Sequence, residues 1–479
     1  MTWRLPAVAA AILIAACAST PPPADVRIDL PVSWKLEPPW RESQPNDISA
    51  KGPWWQVFSD PALDALEQRA LAGSPTLELA NARLAQARAS LASVSAGLLP
   101  QVGLTVRPAR QQIAANRPLT NYRAPNFATV QNDLVMSMAV SYELDLAGRV
   151  QSVVAGAQAS AEQSAADLEN IRLVLSADVA TSYFNLRAVD TEIGVVQRGI
   201  ALQERALELV RARYDLGAAT GLDLAQQQAL LESTRVQLEL LRRQRGQYEH
   251  ALATLLGVSA AQYSLQTDTA EPNVPSVPLG VPSDILERRP DVAAAERAMA
   301  AANAQIGVAN AAFYPSVMLG SALGYESRAL AALFDAPSLI WSFGVTLAQS
   351  VFDGGRIRAN ADFARAGHEA AVANYRRVVL TAMQEAEDGI TGLAALERAA
   401  GQSRAAVATA NRVLDMTTAR YEGGASSYFE VIAAQQALLN SQRQATQLHG
   451  QRLVTSVFLI KALGGGWDGS LQTVKAEPR

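Results

Sequence analysis

Hydrophobic and polar residues alternate with a period of two in four stretches of the chain, two in each half. Successive side chains of a strand point to opposite faces, so each stretch predicts a β-strand with one apolar face. A soluble hairpin packed on a core and a barrel strand facing lipid both fit this pattern, and a barrel strand needs about 9–11 residues. The alternating apolar residues are Val102, Leu104 and Val106; Leu134, Met136, Met138, Val140, Tyr142 and Leu144; Val317, Leu319, Leu323 and Tyr325; and Leu339, Trp341, Phe343, Val345 and Leu347.

Each pair of strands is followed by a long segment in which apolar residues recur at helical spacing. These segments run 67 residues without proline, from Gly148 to Tyr214 and from Gly355 to Tyr421. As single helices they would be about 100 Å long, at 1.5 Å per residue. A returning helix of 35 residues follows each one, Leu222 to Leu256 or Phe429 to Leu463, and a glycine comes directly after it.

Shorter helices precede the strands in both halves. Pro75 and Pro100 stand 25 positions apart around one helical stretch, and Pro290 and Pro315 stand 25 apart around another. Proline fits the first turn of a helix and the positions just beyond its end. A short helix placed end to end with a returning helix would nearly match a 67-residue helix in length. Each half therefore predicts one continuous rod and one composite rod.

Near copies of one short sequence join the long helix to the returning helix in both halves. Residues 213–223 read RYDLGAATGLD and residues 420–430 read RYEGGASSYFE, an offset of 207 positions. Each stretch predicts the tip of a helical hairpin. The offset becomes 208 at the Ala-Leu-Leu of residues 229–231 and 437–439, which a one-residue insertion and chance both explain.

The amino terminus is typical of a targeting segment. An apolar run from Ala7 to Ala16 is too short to span a bilayer, and it ends at Cys17, the only cysteine. This resembles a bacterial lipobox, which implies a signal peptide over residues 1–16 and a diacylglyceryl and N-acyl lipid on Cys17. An ordinary cleaved signal with an incidental Cys17 is the alternative. Longer uncharged runs elsewhere, such as residues 298–325, contain proline, asparagine and glutamine, so we expect no transmembrane helix.

Repeats and proline-rich linkers together predict the domain organisation. A lipid-anchored linker covers residues 17–59, the first repeat residues 60–271 and a second linker residues 272–283. The second repeat covers residues 284–466, and a tail covers residues 467–479. Both repeats contain a short helix, two strands and a long helical hairpin.

Composition narrows the possible functions. Hydrophobic residues make up 49% of the chain but aromatic residues only 6%, which favours long helices packed through small side chains. The net charge of −4 argues against nucleic acid as a partner. Three separated histidines and one cysteine predict no metal site, and no catalytic motif is present, so we expect neither an enzyme nor a cofactor beyond the lipid.

Four strands are too few to close a barrel. Open strand edges cannot lie in lipid, because their backbone groups would be left without hydrogen bonds. Membrane strands would therefore require self-association, and three copies would supply twelve strands. Antiparallel strands return to one side of the membrane, so both helical regions extend to the same side. A lipid anchor in the inner leaflet of an outer membrane would make that side the periplasm.

Several motifs together resemble the TolC-like outer membrane factors, in particular the lipoprotein branch of resistance-nodulation-division efflux systems (NodT-like). The resemblance rests on residues 284–292 (DILERRPDV), Ala295-Glu296-Arg297, residues 304–309 (AQIGVA), residues 313–316 (FYPS), both strand-to-helix turns and both tips. It implies a mixed α+β membrane protein: a homotrimer with four strands per chain in a twelve-stranded transmembrane barrel, and a long periplasmic α-helical tunnel. It also implies a Gram-negative outer membrane, a periplasmic adaptor and an inner-membrane pump as partners.

The same resemblance assigns roles to residues of the tips. Asp223 and Glu430 match acids at the periplasmic constriction, Tyr214 and Tyr421 match its aromatic position, and Arg213 and Arg420 are the adjoining bases. Ser426 and Ala433 stand where some relatives carry a base and a second acid, so those contacts are not carried over. In a trimer, rings of acids would favour cations.

A second interpretation of the two acids needs no channel. Thr220 and Asp223, and likewise Ser427 and Glu430, have the spacing of a capping box that would stabilise the start of each returning helix. The acids could therefore line a lumen, cap helices, or do both.

The leading functional prediction is a passive exit duct for small molecules, gated at the periplasmic tips. A duct for unfolded proteins in type I secretion is the nearer alternative, and a structural lipoprotein that spans the periplasm without a channel is the more distant one.

Overall fold

Four strands form one antiparallel sheet in the order in which they occur along the chain. The computed structural model describes residues 52–116, 128–277 and 288–465. All four predicted strands are confirmed. They are β1 (Gln101–Ile113), β2 (Thr129–Leu144), β3 (Ser316–Ser327) and β4 (Leu339–Ala348).

The register of the sheet places its apolar residues in rows that cross all four strands. Leu104 pairs with Met138, Met138 with Leu323, and Leu323 with Trp341. Trp341 is 75% exposed and its neighbour on the same face, Phe343, is 71% exposed. Because nothing in the described part of the chain covers this face, the interpretation as a soluble hairpin on a core is wrong. A lipid-facing surface accounts for the exposed apolar rows.

Two helices of 67 residues form the longest elements. They are α3 (Arg149–Asp215) and α6 (Arg356–Glu422), as the proline-free segments predict. The returning helices are α4 (Gly221–Leu255) and α7 (Tyr428–Ala462), each of 35 residues. Each returning helix starts and ends one residue earlier than the sequence predicts. It starts earlier because the residue before it, Thr220 or Ser427, occupies the N-cap position.

Three shorter α-helices occur among the described residues. They are α1 (Pro61–Gly73), α2 (Pro75–Ser95) and α5 (Pro290–Ala311), each with proline in its first turn. Helix α2 packs along α3, and α5 packs along both long helices. Within the described residues, no helix is long and apolar enough to cross a membrane.

Short and returning helices meet end to end, as the composite rods require. Gly257, just past α4, lies so close to Gly73 that a Cβ on Gly257 would overlap the Gly73 carbonyl oxygen. Gly464, just past α7, has the same relation to the carbonyl oxygen of Arg288. Both glycines have positive φ, +72° and +92°, which suits a helix end. Each repeat therefore contains one continuous rod and one composite rod.

Arg289 stabilises the second joint, where the end of α7 meets the start of α5. Its guanidinium binds both carboxylate oxygens of Asp291, at 3.0 and 2.8 Å. It also bonds Glu385 of α6 at 2.7 Å and the carbonyl oxygen of Ala462, the last residue of α7, at 3.0 Å. Only 7% of the side chain is exposed. The arginine before Pro290 therefore joins three helices.

The described parts of the two predicted linkers, residues 52–59 and 272–277, contact the helical body. Residues 54–58 form a 3-10 helix whose Trp54 and Phe58 are 2% exposed, and Trp54 Nε1 donates to Ser176 Oγ at 2.9 Å. The folded body thus begins before residue 59. In the second linker, His449 Nε2 lies 2.9 Å from the carbonyl oxygen of Pro272. Residues 278–287 and 466–479 lie outside the described part of the chain.

Candidate functional site

The two tips have the same backbone geometry. In the first, the amide of Gly217 donates to the carbonyl of Tyr214 at 2.9 Å, and the amide of Ala218 donates to that of Arg213 at 2.8 Å. In the second, Gly424 and Ala425 donate in the same way to Tyr421 and Arg420, at 3.0 and 2.8 Å. Gly217 and Gly424 have φ of +74° and +73°, a conformation that glycine adopts without strain. The recurring glycine thus ends each long helix in the same way.

Asp223 forms the capping box predicted for the first tip. Its Oδ2 accepts from the Thr220 amide at 2.9 Å and from the Thr220 hydroxyl at 2.8 Å. The Asp223 amide donates to Thr220 Oγ1 at 3.2 Å. The side chain is half-buried. The carboxylate is an acceptor in both bonds, which stabilise the start of α4.

The capping box predicted for the second tip is wrong. The hydroxyl of Ser427 makes no cap hydrogen bond with the start of α7, and the Glu430 amide donates to the main-chain oxygen of Ser427 instead. The Glu430 carboxylate turns toward Arg420, with 3.9 Å between Oε2 and Nη1. Arg420 also donates to the Ala425 carbonyl at 3.4 Å. The carboxylate of Glu430 therefore pairs with Arg420 of the preceding helix and does not cap α7.

The two tips contact each other through Arg213 and Tyr421. The guanidinium carbon of Arg213 lies 4.8 Å from the centre of the Tyr421 ring, and Nη1 is 3.5 Å from the Tyr421 carbonyl oxygen. The Tyr421 ring packs on Tyr428, with 4.9 Å between ring centres. An arginine on one hairpin is therefore attracted to an aromatic face on the other.

Four of the six predicted residues have these contacts within their own tip: Tyr214, Arg420, Asp223 and Glu430. Tyr214 is 46% exposed and lies beside Gly221 of its own hairpin. Asp223 and Glu430 each bind a partner on their own tip and do not meet. Arg213 and Tyr421, two of the predicted gate residues, lie together in the structure, and the sequence did not predict which arginine makes the contact.

A buried polar cluster above the tips escaped the sequence predictions. The Tyr428 hydroxyl donates to Gln227 Oε1 at 2.9 Å. Gln227 Nε2 donates to the Gln203 carbonyl at 2.9 Å and to Gln435 Oε1 at 3.5 Å. Burial raises the pKa of the Tyr428 phenol above its ordinary value, and the nearby Tyr421 and Asp223 add to the shift. The phenol therefore stays protonated and remains a donor.

A signal for this cluster was present in the sequence. Residues 227–231 and 435–439 both read QQALL, at the offset of 208 that the Ala-Leu-Leu match had shown. Gln227 and Gln435 are in contact, which supports a one-residue insertion between the tip and this motif.

Four apolar side chains at or near the tips are largely exposed. Leu216 is 84% exposed, Leu222 65%, Phe429 61% and Met416 66%. Among the described residues, no group of three or more His, Cys, Asp or Glu side chains could hold a metal ion. Cys17, the predicted lipid anchor, lies outside the described residues, as does the linker up to residue 51.

Comparisons with known proteins identify the family. The outer membrane efflux protein family matches residues 66–258 and 281–465. The pyoverdine export outer membrane protein OpmQ of Pseudomonas aeruginosa is 35% identical over 98% of this chain and 98% of its own length. The toluene efflux pump outer membrane protein TtgF of Pseudomonas putida is 32% identical over 89% of this chain and 88% of its own. The solved outer-membrane channel OprN superposes with a TM-score of 0.85 at 26% identity, over 94% of this chain and all of its own.

These matches confirm the predicted TolC-like fold of trimeric channels with four strands per chain, the outer membrane as the location, and efflux as the function. The chain therefore belongs to the outer membrane efflux protein family, whose members are channel proteins of efflux pumps.

Proposed function

We propose that this channel is a passive duct, gated at its periplasmic end by the two helical tips of each protomer. The contact between Arg213 and Tyr421 carries the proposal, because it joins the two hairpins at their free ends. Rods of equal length bring both tips to one level, so closing the gate requires only that the tips converge. The chain supplies no energy for transport, and it acts without catalysis.

Charge at the closed tips gives the duct its selectivity. Three copies of Asp223 and Glu430 place six carboxylates near one constriction, and rings of acids favour cations. The cap interpretation holds for Asp223 as well, since an acid that caps a helix still contributes its charge. Of the two roles that the sequence suggests for Glu430, only the ring of acids remains, because Glu430 forms no capping box.

Neutralising both acids tests this gate. In planar bilayers the wild-type trimer is expected to pass small, cation-selective currents. Replacement of Asp223 and Glu430 by their amides, asparagine and glutamine, is expected to reduce the cation preference several-fold, because the ring charge disappears while side-chain volume stays the same. Asp215→Asn, at the exposed end of α3, is the matched control. Unchanged selectivity in the double variant would exclude the acid ring.

We infer that the duct works with a periplasmic adaptor and an inner-membrane resistance-nodulation-division pump. The four exposed apolar side chains at the tips support this, since a partner protein that bound there would bury them. Leu216→Asp is expected to reduce copurification of the adaptor at least tenfold, while Leu240→Asp, at an exposed apolar position far along α4, leaves it unchanged. Recovery of an ATP-driven secretion system instead would favour the type I alternative.

The cargo in this proposal is small molecules exported from the periplasm. Relatives named for pyoverdine export and toluene efflux support a small-molecule duct over one for unfolded proteins. The lipid on Cys17 remains part of the proposal, as an anchor in the inner leaflet of the outer membrane. The mass of the amino-terminal peptide distinguishes an acylated Cys17 from an ordinary cleaved signal.

A further inference from the structure

The loop between β3 and β4 has an apolar tip. It spans residues 328–338, reads RALAALFDAPS and contains two 3-10 turns. Leu330 is 74% exposed and Phe334 65%, whereas Leu333 between them is buried. Two large apolar side chains on one short loop keep their apolar surface in water unless something covers them, which costs free energy. The direction of the loop therefore decides what can cover its tip.

Hydrogen bonds within the loop fix its shape. Ser338 Oγ donates to the Ala332 carbonyl at 2.7 Å, and the Ser338 amide donates to the Asp335 carbonyl at 2.9 Å. At the start of the loop, the Ala329 amide donates to Ser327 Oγ at 3.2 Å. Because these bonds join loop residues to one another and to the end of β3, the apolar tip keeps one orientation relative to the sheet.

A contact between two aromatic rings shows that orientation. The rings of Phe334 and Tyr325 lie 5.4 Å apart between centres, with their planes at 71°. Tyr325 pairs with Met136 of β2 and Leu339 of β4, and it stands two residues beyond Leu323 on β3. Side chains two positions apart on a strand share a face, so Tyr325 belongs to the apolar, lipid-facing side of the sheet. Phe334 thus folds over that side and away from the face that lines the lumen.

Strand length places this contact at the outer edge of the apolar band. The 10 residues of β4, at about 3.3 Å each and a tilt of about 40°, rise roughly 25 Å, which equals the height of the apolar band of a membrane barrel. Leu339, the first residue of β4 and the partner of Tyr325, marks its outer edge. Aromatic residues are common at this edge. The exposed charges of Arg328 and Asp335 flank the tip, as the polar layer beyond the band requires.

We propose that Leu330 and Phe334 insert among the acyl chains of the lipid around the outer end of the barrel, so that the β3–β4 loop anchors that end in the membrane. Continuity carries the choice of lipid, since the tip lies on the same face of the sheet as the exposed apolar rows and extends them. The inference concerns the end of the molecule opposite the helical tips and does not depend on the gate.

Nitroxide accessibility tests the contact with lipid. The full-length trimer, with Cys17 replaced by alanine, is reconstituted in vesicles of phosphatidylethanolamine and phosphatidylglycerol and labelled at Leu330→Cys. Oxygen concentrates among acyl chains and a nickel chelate in water, so the ratio of their collision rates with the label identifies its surroundings. Trp341→Cys on the lipid face and Ser342→Cys on the opposite face are the references. The ratio at Leu330 is expected to lie several-fold above that at Ser342 and close to that at Trp341.

Two other results would overturn the anchor. A ratio as low as that at Ser342 would place the loop in water, as a lid over the lumen would be. A label shielded from both reagents would show a contact with protein, such as the neighbouring protomer.

A matched pair of variants shows whether Phe334 holds the loop in the lipid. Phe334→Ser, in the chain labelled at Leu330→Cys, is expected to lower the ratio toward that at Ser342, because it removes the ring that packs on Tyr325. Asp335→Ser, at the adjacent exposed residue, is expected to leave the ratio unchanged. Equal ratios in the two variants would exclude Phe334 as part of the anchor.

Discussion

Arg289→Met is expected to lower the free energy of unfolding by about 2–4 kcal/mol. Removal of one partner from a buried ion pair costs roughly 3–5 kcal/mol, because the remaining charge has no counter-ion. Asp291 and Glu385 keep 30% and 31% exposure, so water compensates part of the loss. The Ala462 carbonyl at the end of α7 also loses its donor. The thermal midpoint of the detergent-solubilised trimer measures the effect.

A lysine substitution shows whether Arg289 must bind Asp291 through two nitrogens or whether its charge alone is sufficient. A second substitution, at a surface arginine, is the control. Lysine retains the charge but cannot bind Asp291 through two nitrogens, so Arg289→Lys is expected to lie between wild type and Arg289→Met. Arg243→Met, at an exposed position of α4, is expected to change stability by less than about 0.5 kcal/mol. An Arg289→Met trimer as stable as Arg243→Met would show that the joint does not depend on the ion pairs.

The helices and strands were predicted well from the spacing of apolar residues and from the positions of proline and glycine, because these signals are local. The 67-residue helices follow from the absence of proline between Gly148 and Tyr214 and between Gly355 and Tyr421. The alternation of apolar and polar residues predicts each strand. A glycine predicts the end of each returning helix, and in the structure these glycines have positive φ. These features depend on a few neighbouring residues, so the sequence contains them without knowledge of the tertiary structure.

Contacts between the hairpins could not be predicted in the same way. Arg213 and Arg420 are equivalent in sequence, yet one reaches the opposite tip and the other remains on its own. Ser427 and Glu430 have the spacing of a cap, but Arg420 competes for the acid. The outcome in each case depends on which helix packs alongside, and local spacing contains no information on that. The buried amides at Gln227 and Gln435 would have been found by extending the repeat search by two residues.

Arg213→Ala is expected to open the gate, since it removes the contact between the tips. A cation above an aromatic ring contributes at least about 0.5–1 kcal/mol, and the Tyr421 ring is half-buried. If the three protomers open together, the loss sums to roughly 1.5–3 kcal/mol, and each 1.4 kcal/mol changes an equilibrium tenfold. The ratio of open to closed channels should therefore rise about 10- to 100-fold, measured as open probability in planar bilayers.

Arg420→Ala is the matched control for this prediction, because Arg420 holds the equivalent position and contacts only its own tip among the described residues. Its loss removes the same charge from the same level of the channel, so any effect of charge alone would appear in both variants. The gate is expected to stay closed in Arg420→Ala, with a change confined to selectivity through Glu430. Equal opening in both variants would mean that net charge, and not the Arg213–Tyr421 contact, holds the tips together.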